Sequence, residues 1–401
     1  MNAATPPSSA ASGPLAGIRV LDLSAYIAGP YGCTLLADLG AEVIKIEPPE
    51  GDNLRKYPST MGDHSRAFVG VNRGKRGVVI DLKDPRGLDA FYRMVDRADV
   101  VVHNFRPAVA PRLKIDYARL SSRNAQLIYC ALSGYGESGP LAARAGYDQV
   151  LQSMTGICAG QGSLESPQIV YGSLVDYYAA SLLALRVTAA IVERHRTGHG
   201  QSLSVSLLQA ALAVQSARLV WADGEPRDIA RDMRSGGITG IHPTQAGHIY
   251  LSANTPHFWQ ALCRITGLHS LADDPRFASV KLRAQHAQEL VPLLRQALLQ
   301  HDAQTWETLF GEDVPCARVR GIEDMFDFEQ VQALGSIAPF SGAAGHYRAL
   351  VNALIPQSTV KPRAAPGLGE HSSEVLAEHG LTAAEIDALG VDGVLGPTRS
   401  A

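Results

Sequence analysis

IRVLDLSAYIAGPYGCTLLADLGAEVIKIE, residues 18–47, is the stretch whose reading decides the fold. Two short β-rich runs, IRVLDL (18–23) and AEVIKIE (41–47), flank YGCTLLADLG (31–40), whose apolar residues recur at three and four, the helical period. Strand, helix and strand in that order make a βαβ unit. The rhythm continues outward with GVVIDL (77–82), DVVVHNF (99–105) and AQLIYCALS (125–133), and with the helical DPRGLDAFYRMVDRA (84–98) between strands. The sequence therefore predicts an α/β protein built on a Rossmann-like, doubly wound parallel sheet.

Further along, a long helical run from about Tyr177 to His195 stops at Thr197-Gly198-His199-Gly200, with basic residues in its last turn. A second helix is expected near Leu203. The stretch from Gly224 to Pro243, rich in Gly, Asp and Arg, reads as a crossover. HIYLSANTPHFWQALCRITG (248–267) and the helical run after Asp274-Pro275-Arg276 suggest a smaller α/β domain. The expected organisation is a flexible tail over 1–14, a large domain over 15–223 and 331–401, and a small domain over 224–330. Near the C-terminus, Ser372 or Ser373 is the expected N-cap of a helix.

At 401 residues the chain is long enough for two domains that each bury an interior. Its 46% apolar and 19% charged residues and net charge of −3 are ordinary for an enzyme and supply no field that favours nucleic acid. An anionic ligand must be held by local basic groups. The five cysteines are scattered, with no CxxC, and read as reduced thiols. MNAATPPSSAASGPLAG (1–17) has no apolar signal core, and Arg186 interrupts the longest apolar stretch, so the expectation is a cytoplasmic protein without a membrane span.

The literal GxGxxG at Gly134-Tyr135-Gly136-Glu137-Ser138-Gly139 is followed by Pro140 rather than by a helix, so it reads as a turn and not as a dinucleotide fingerprint. Walker A and GxSxG patterns are absent from the sequence. His195 and His199 have ligand-like spacing but flank a helix stop with no third ligand near, and no metal is expected. The basic set Arg73, Lys75, Arg76, Arg106 and Arg112 falls at predicted strand or loop positions at the sheet's edge, where it is either solvated surface or a grip on phosphates. Asp176, in GSLVDYYAASLLAL (172–185), is placed to cap the helix that follows. Backbone N–H groups and the helix dipole there would stabilise an ionised carboxylate, the form useful as a nucleophile, so a low pKa is expected.

Eight segments occur in a telling order: GIRVLDLSAYIAGPYGCTLLADLGAEVIKIEPPEGD (17–52), NRGKRGVVIDLKDPRG (72–87), VVHNFRPAV (101–109), SGYGESGP (133–140), GYDQVLQSMTG (146–156), ERHRTGHGQSLSVSLLQAAL (193–212), DDPRF (273–277) and PGLGEHSSEVL (366–376). Together they resemble family III CoA-transferases, the group that holds formyl-CoA transferase, carnitine CoA-transferase and the 2-methylacyl-CoA racemases. Asp176 precedes Gln201 by 25 residues, matching the family's nucleophile and TGxGQ motif, and the resemblance makes it the catalytic residue. It further implies that Tyr26, Ile27, Ala28 and Tyr147 meet the substrate, and that Gly236 and Gly237 are candidates to stabilise oxyanions. Lys75, Arg76, Asn104, Phe105, Arg106, Arg112 and Tyr135 would contact CoA.

What the resemblance implies is covalent exchange of CoA between an acyl-CoA, with succinyl-CoA the expected donor, and a small carboxylic acid. CoA is substrate and product, no permanently bound cofactor is required, and the chain is expected to form an interlocked homodimer. Where racemases carry His this chain has Tyr147, whose ordinary pKa of about 10 suits proton exchange poorly. The oxalate-using branch has Gln where Ile27 stands, which disfavours formyl-CoA:oxalate exchange. A racemase, a CoA-binding protein without catalysis and a nicotinamide oxidoreductase are the rival readings.

Overall fold

The structure, a computed structural model, describes residues 12–225, 238–351, 353–354 and 362–396. Most of the expected tail and both Gly236 and Gly237 lie outside the described residues. The chain divides into two compact units, Met1–Ser216 with Phe328–Ala401, and Ala217–Asp327.

The first unit holds six strands: β1 (Arg19–Asp22), β2 (Glu42–Glu47), β3 (Lys75–Val79), β4 (Val100–His103), β5 (Ile128–Ser133) and β6 (Ser202–Ser206). Their spatial order is β3-β2-β1-β4-β5-β6 and every neighbouring pair is parallel. This is the expected doubly wound sheet. Chain direction across the sheet reverses between β1 and β4, so the connections leaving them depart to opposite faces and a crevice forms at their C-terminal ends.

Both faces are covered, which is why the strands are nearly continuous runs of buried apolar residues. One face packs on helix α1 (Ala28–Asp38), and on α3 (Leu174–Thr197), which follows the shorter α2 (Asp148–Met154) in the chain. The other packs on helices Pro85–Val95, Tyr117–Arg123, Ser372–Glu378 and Ala383–Val391. At Gly32 a Cβ would lie 2.9 Å from the Leu183 side chain and 3.1 Å from the Ala180 carbonyl, so α1 and α3 approach this closely only because that residue is glycine. By length and composition α3 could cross a membrane; Val175, Ala179, Leu183, Val187 and Ile191 are buried in the core, whereas Leu185 and Val192 on the same helix are exposed.

The second unit pairs the antiparallel strands Gly240–Pro243, His248–Leu251 and Cys316–Arg318 with helices that include Pro256–Ile265, Ala287–Leu298 and Ala303–Phe310. Trp259, Phe277, Trp306 and Phe310 fill its separate core.

Three local expectations are corrected. The helix expected near Leu203 begins at Leu207, because SLSVS forms strand β6, burying Leu203 and Val205 two residues apart on one face, and Ser206 then caps the helix by accepting from the Gln209 N–H. The serines 372 and 373 lie inside their helix, whose cap is His371. Asp176 is not a cap either: α3 starts at Leu174 behind Ser173, and Asp176 sits in the first turn.

Candidate active site

A cleft of about 770 Å³ opens at the switch point between β1 and β4. Tyr26, Asn104, Phe105, Arg106 and Arg112 line it together with Ala25, so five of the sequence-derived site residues meet there. Two guanidinium groups and two aromatic rings in one crevice suit a ligand with phosphates at one end and apolar or flat groups elsewhere. Phe105 is held from behind: its ring stacks on His103 at 5.4 Å, and its N–H donates to His103 Nδ1 at 3.2 Å. Burial pushes the His103 pKa down to about 4, so the imidazole stays neutral and able to accept that bond.

The loop after β1 forms the opposite wall. Asn104 clamps it, accepting from the Ala25 N–H at 2.9 Å and donating to the Ala25 carbonyl at 2.7 Å. The side-chain amide expected on the CoA path is therefore engaged with the protein. Tyr26 has a left-handed backbone, φ 65°, and its ring meets Tyr147 edge-on at 5.8 Å and Tyr57 at 6.5 Å. Bonding between the Tyr26 and Tyr147 side chains raises the Tyr147 pKa, which takes this phenol still further from acid–base work at neutral pH. Ile27 and Ala28 turn away from the cleft. Ile27 packs on the cluster of Leu54 and Phe68, and Ala28 is buried at the start of α1.

Asp176 is reached through Tyr147. The next residue, Asp148, opens α2 and is buried, and its Oδ2 accepts from the Asp176 backbone N–H at 2.9 Å. Gln152 fixes Asp148 from the other side, donating to Oδ1 at 2.5 Å and to the Val170 carbonyl at 2.9 Å. The crossing of two backbones sets this corner: a Cβ on Gly134 would lie 2.8 Å from Gly146. On the opposite side, Tyr177 meets Tyr31 of α1 edge-on at 4.7 Å.

Burial, and after it the negative charge of Asp148, raises the Asp176 pKa to about 7. The depressed value expected from the helix N-terminus is thereby overturned, because desolvation and a like charge outweigh the dipole. A carboxylate that is half ionised near neutrality is a stronger base, and hence a stronger nucleophile, than an ordinary aspartate.

The remaining sequence-derived residues lie elsewhere. Lys75 is fully buried and its ammonium donates to Asp22 at 2.8 Å, the Pro30 carbonyl at 2.7 Å and Asn72 at 2.8 Å, which uses all three protons. Arg76 is tied to Glu42, Glu374 and Glu378. Arg73 pairs with Asp38. The phosphate contacts expected of Lys75 and Arg76 are corrected accordingly: both cations are neutralised by the protein's own carboxylates. Tyr135 donates to the Ala145 carbonyl at 3.5 Å and does not line the cleft. Among the described residues no cluster of His, Cys, Asp and Glu is arranged to hold a metal ion. Sequence reasoning missed Asp148 and Tyr57. The first is adjacent to Tyr147 in a quoted motif, while nothing local marks the second.

Fold and site together define a doubly wound α/β protein with a cationic cleft at its switch point, whose Tyr26 meets Tyr147, the neighbour in sequence of the Asp148 that accepts from Asp176. Residues 15–372 match the profile of CoA-transferase family III. The chain is 33% identical to a succinate–glutarate CoA-transferase of Agrobacterium fabrum, over 91% of this chain and 95% of that protein. It is 35% identical to an acetyl-CoA:oxalate CoA-transferase of Acetobacter aceti, over 82% and 87%. The crystal structure of a CAIB/BAIF family protein from Brucella suis superposes with a TM-score of 0.80 at 29% identity, covering 92% of this chain and 99% of that one. The chain belongs to CoA-transferase family III and is a transferase that uses CoA thioesters.

Proposed function

We propose that the enzyme moves CoA from a short acyl-CoA, succinyl-CoA first among them, to a small carboxylic acid through covalent intermediates on Asp176. The observation that carries this reading is the placement of Asp176 beside Asp148 with a pKa of about 7. Relatives named for succinate and glutarate support dicarboxylic partners. The relative named for oxalate is of comparable identity, so oxalate with acetyl-CoA belongs in the acceptor panel despite Ile27.

In the first step the ionised Asp176 attacks the thioester carbonyl, forming an aspartyl–acyl anhydride and releasing CoA thiolate. The thiolate attacks the aspartyl carbonyl, giving aspartyl-CoA and the free donor acid. The acceptor carboxylate then attacks aspartyl-CoA, and CoA thiolate leaves again. Its attack on the acceptor carbonyl of the new anhydride yields the new thioester and restores Asp176. One thioester replaces another, so no ATP is needed. Arg106 and Arg112 provide the positive wall for the nucleotide end of CoA, and Tyr26 with Tyr147 faces the acyl end.

Incubation with acyl-CoA alone tests the mechanism. Hydroxylamine should convert the loaded carboxyl to a hydroxamate and borohydride should reduce it, each leaving a mass change on the peptide that contains Asp176. An enzyme that transfers CoA yet shows no label there rules out the covalent route. The same reading makes the protein a homodimer, supported by the exposure of Leu164, Tyr171, Leu185 and Val192 in the single chain. A monomeric mass by light scattering would refute that part.

A further inference from the structure

We propose that Asp52 is a positioning residue of the transfer reaction, holding Tyr26 in its left-handed conformation so that the Tyr26 ring stays against Tyr147, the residue that precedes the Asp148 bonded to Asp176. The inference rests on the reading of Asp176 as the transfer site.

Tyr26 is one of three non-glycine residues with positive φ among the described residues, and such a backbone is strained for a residue that carries a Cβ. A strained conformation persists only where its surroundings over-determine it. Asp52 does this from beneath the loop. Its Oδ1 accepts from the N–H of Tyr26 at 3.3 Å and of Leu54 at 2.9 Å, and its Oδ2 lies 3.1 Å from Lys45 Nζ. Lys45 also donates to the Ser24 carbonyl at 2.7 Å, so one ammonium ties the start of the loop to the carboxylate that holds its tip. The Asp52 backbone N–H is fixed in turn by Glu47 at 2.9 Å.

Beyond the cap that Asp52 gives the short helix Asn53–Lys56, the charge pair itself adds little stability. The Lys45 and Asp52 side chains are 0% and 1% exposed, and a pair so deeply buried gains in attraction about what it loses in desolvation. Two apolar side chains would serve the core as well. What they cannot do is accept from the N–H of Leu54, the bond that caps the short helix Asn53–Lys56, and from the N–H of Tyr26. The hold on that group sets where the ring stands: 5.8 Å from Tyr147, with Asn53 Nδ2 donating to its hydroxyl at 3.3 Å.

Two variants that remove both buried charges separate positioning from stability. K45M/D52N keeps an amide oxygen for the Tyr26 N–H, whereas K45M/D52L fills the space without an acceptor. Circular dichroism and melting establish that each is folded. With a donor and acceptor that the unsubstituted enzyme uses, kcat should be about 100-fold lower in K45M/D52L than in K45M/D52N, the scale of a displacement near 1 Å, and KM for acyl-CoA should be little changed. In a Y26A background that ratio should collapse towards one, because the two substitutions act through the same ring. Equal kcat in the two variants, or an undiminished ratio without the Tyr26 ring, overturns the proposal. If K45M/D52L does not fold, the smaller pair K45M/D52S and K45M/D52A carries the same contrast. Transfer by the unsubstituted enzyme tests the reading of the site, and the ratio between variants tests Asp52.

Discussion

Asp22, fully buried, and Asp176, half-buried, are both carboxylates of the first unit shielded from water, and their pKa values move in opposite directions. Asp22, at the end of β1, is buried with Lys75 and Lys45 beside it. Burial raises its pKa, but the two ammonium charges and the bonds from Lys75 and Ser24 together bring it below the ordinary value. Asp176 has burial and a second aspartate, and its pKa rises to about 7. Desolvation raises the pKa of both, so the sign of the neighbouring charge separates a structural carboxylate from a reactive one. Linkage follows the same division. The lowered pKa of Asp22 contributes stability above the ordinary carboxylate range, and it is lost as pH falls through the folded value. The raised pKa of Asp176 instead costs stability as pH rises from the ordinary range through about 7.

The strongest way to break the contrast is to remove each member's decisive group. Asp176→Ala should lower transfer by at least ~1,000-fold while the protein stays folded, since a first-turn acid contributes only about 0.3–1 kcal/mol to its helix. Residual activity of more than a few per cent of the original would remove Asp176 from the reaction. Lys75→Met should do the reverse, destabilising the fold by roughly 3 kcal/mol because it takes from buried Asp22 its hydrogen-bonded ammonium and leaves only Lys45 nearby. KM for acyl-CoA in that variant, measured under conditions where it is folded, should be unchanged. A raised KM with unchanged melting would return Lys75 to the CoA site.

Finer comparisons act on the charge itself. Activity that needs ionised Asp176 should rise with pH through about 7. Asp148→Asn removes the like charge, so the acidic limb should move down by about one unit while the burial contribution persists. A pH–rate profile with an unmoved limb would show that Asp148 only anchors the backbone. The smallest expected effect is at the rim. Arg112→Glu should raise KM for acyl-CoA about 10-fold at low salt, less at high salt, with kcat at saturation kept. An unchanged KM would make Arg112 plain surface.

The Lys75 and Arg76 correction shows where sequence reasoning stops. A basic residue at a strand end has the same local signature whether it faces a ligand or a buried acid. Arg106 and Arg112 reach the cleft, while Lys75 meets Asp22, a partner 53 residues away. Asp148 was adjacent to a residue already singled out, yet its bond to Asp176 spans 28 residues and leaves no local pattern. β6 was hidden for another reason: Leu203 and Leu207 are four apart, so a strand running directly into a helix imitates the helical period.

By itself the sequence determined the parallel sheet and, through the family resemblance of its ordered motifs, the candidacy of Asp176, because hydrophobic period, glycine stops and motif spacing are properties of neighbours along the chain. The tertiary structure alone decided which cations remain for a ligand, that Asp176 is made basic rather than acidic, and that Asp52 and Asn104 hold the loop carrying Tyr26. Each of these depends on burial and on charges brought together from distant segments, and Coulomb and desolvation energies are set by distance in space, which separation in sequence does not fix.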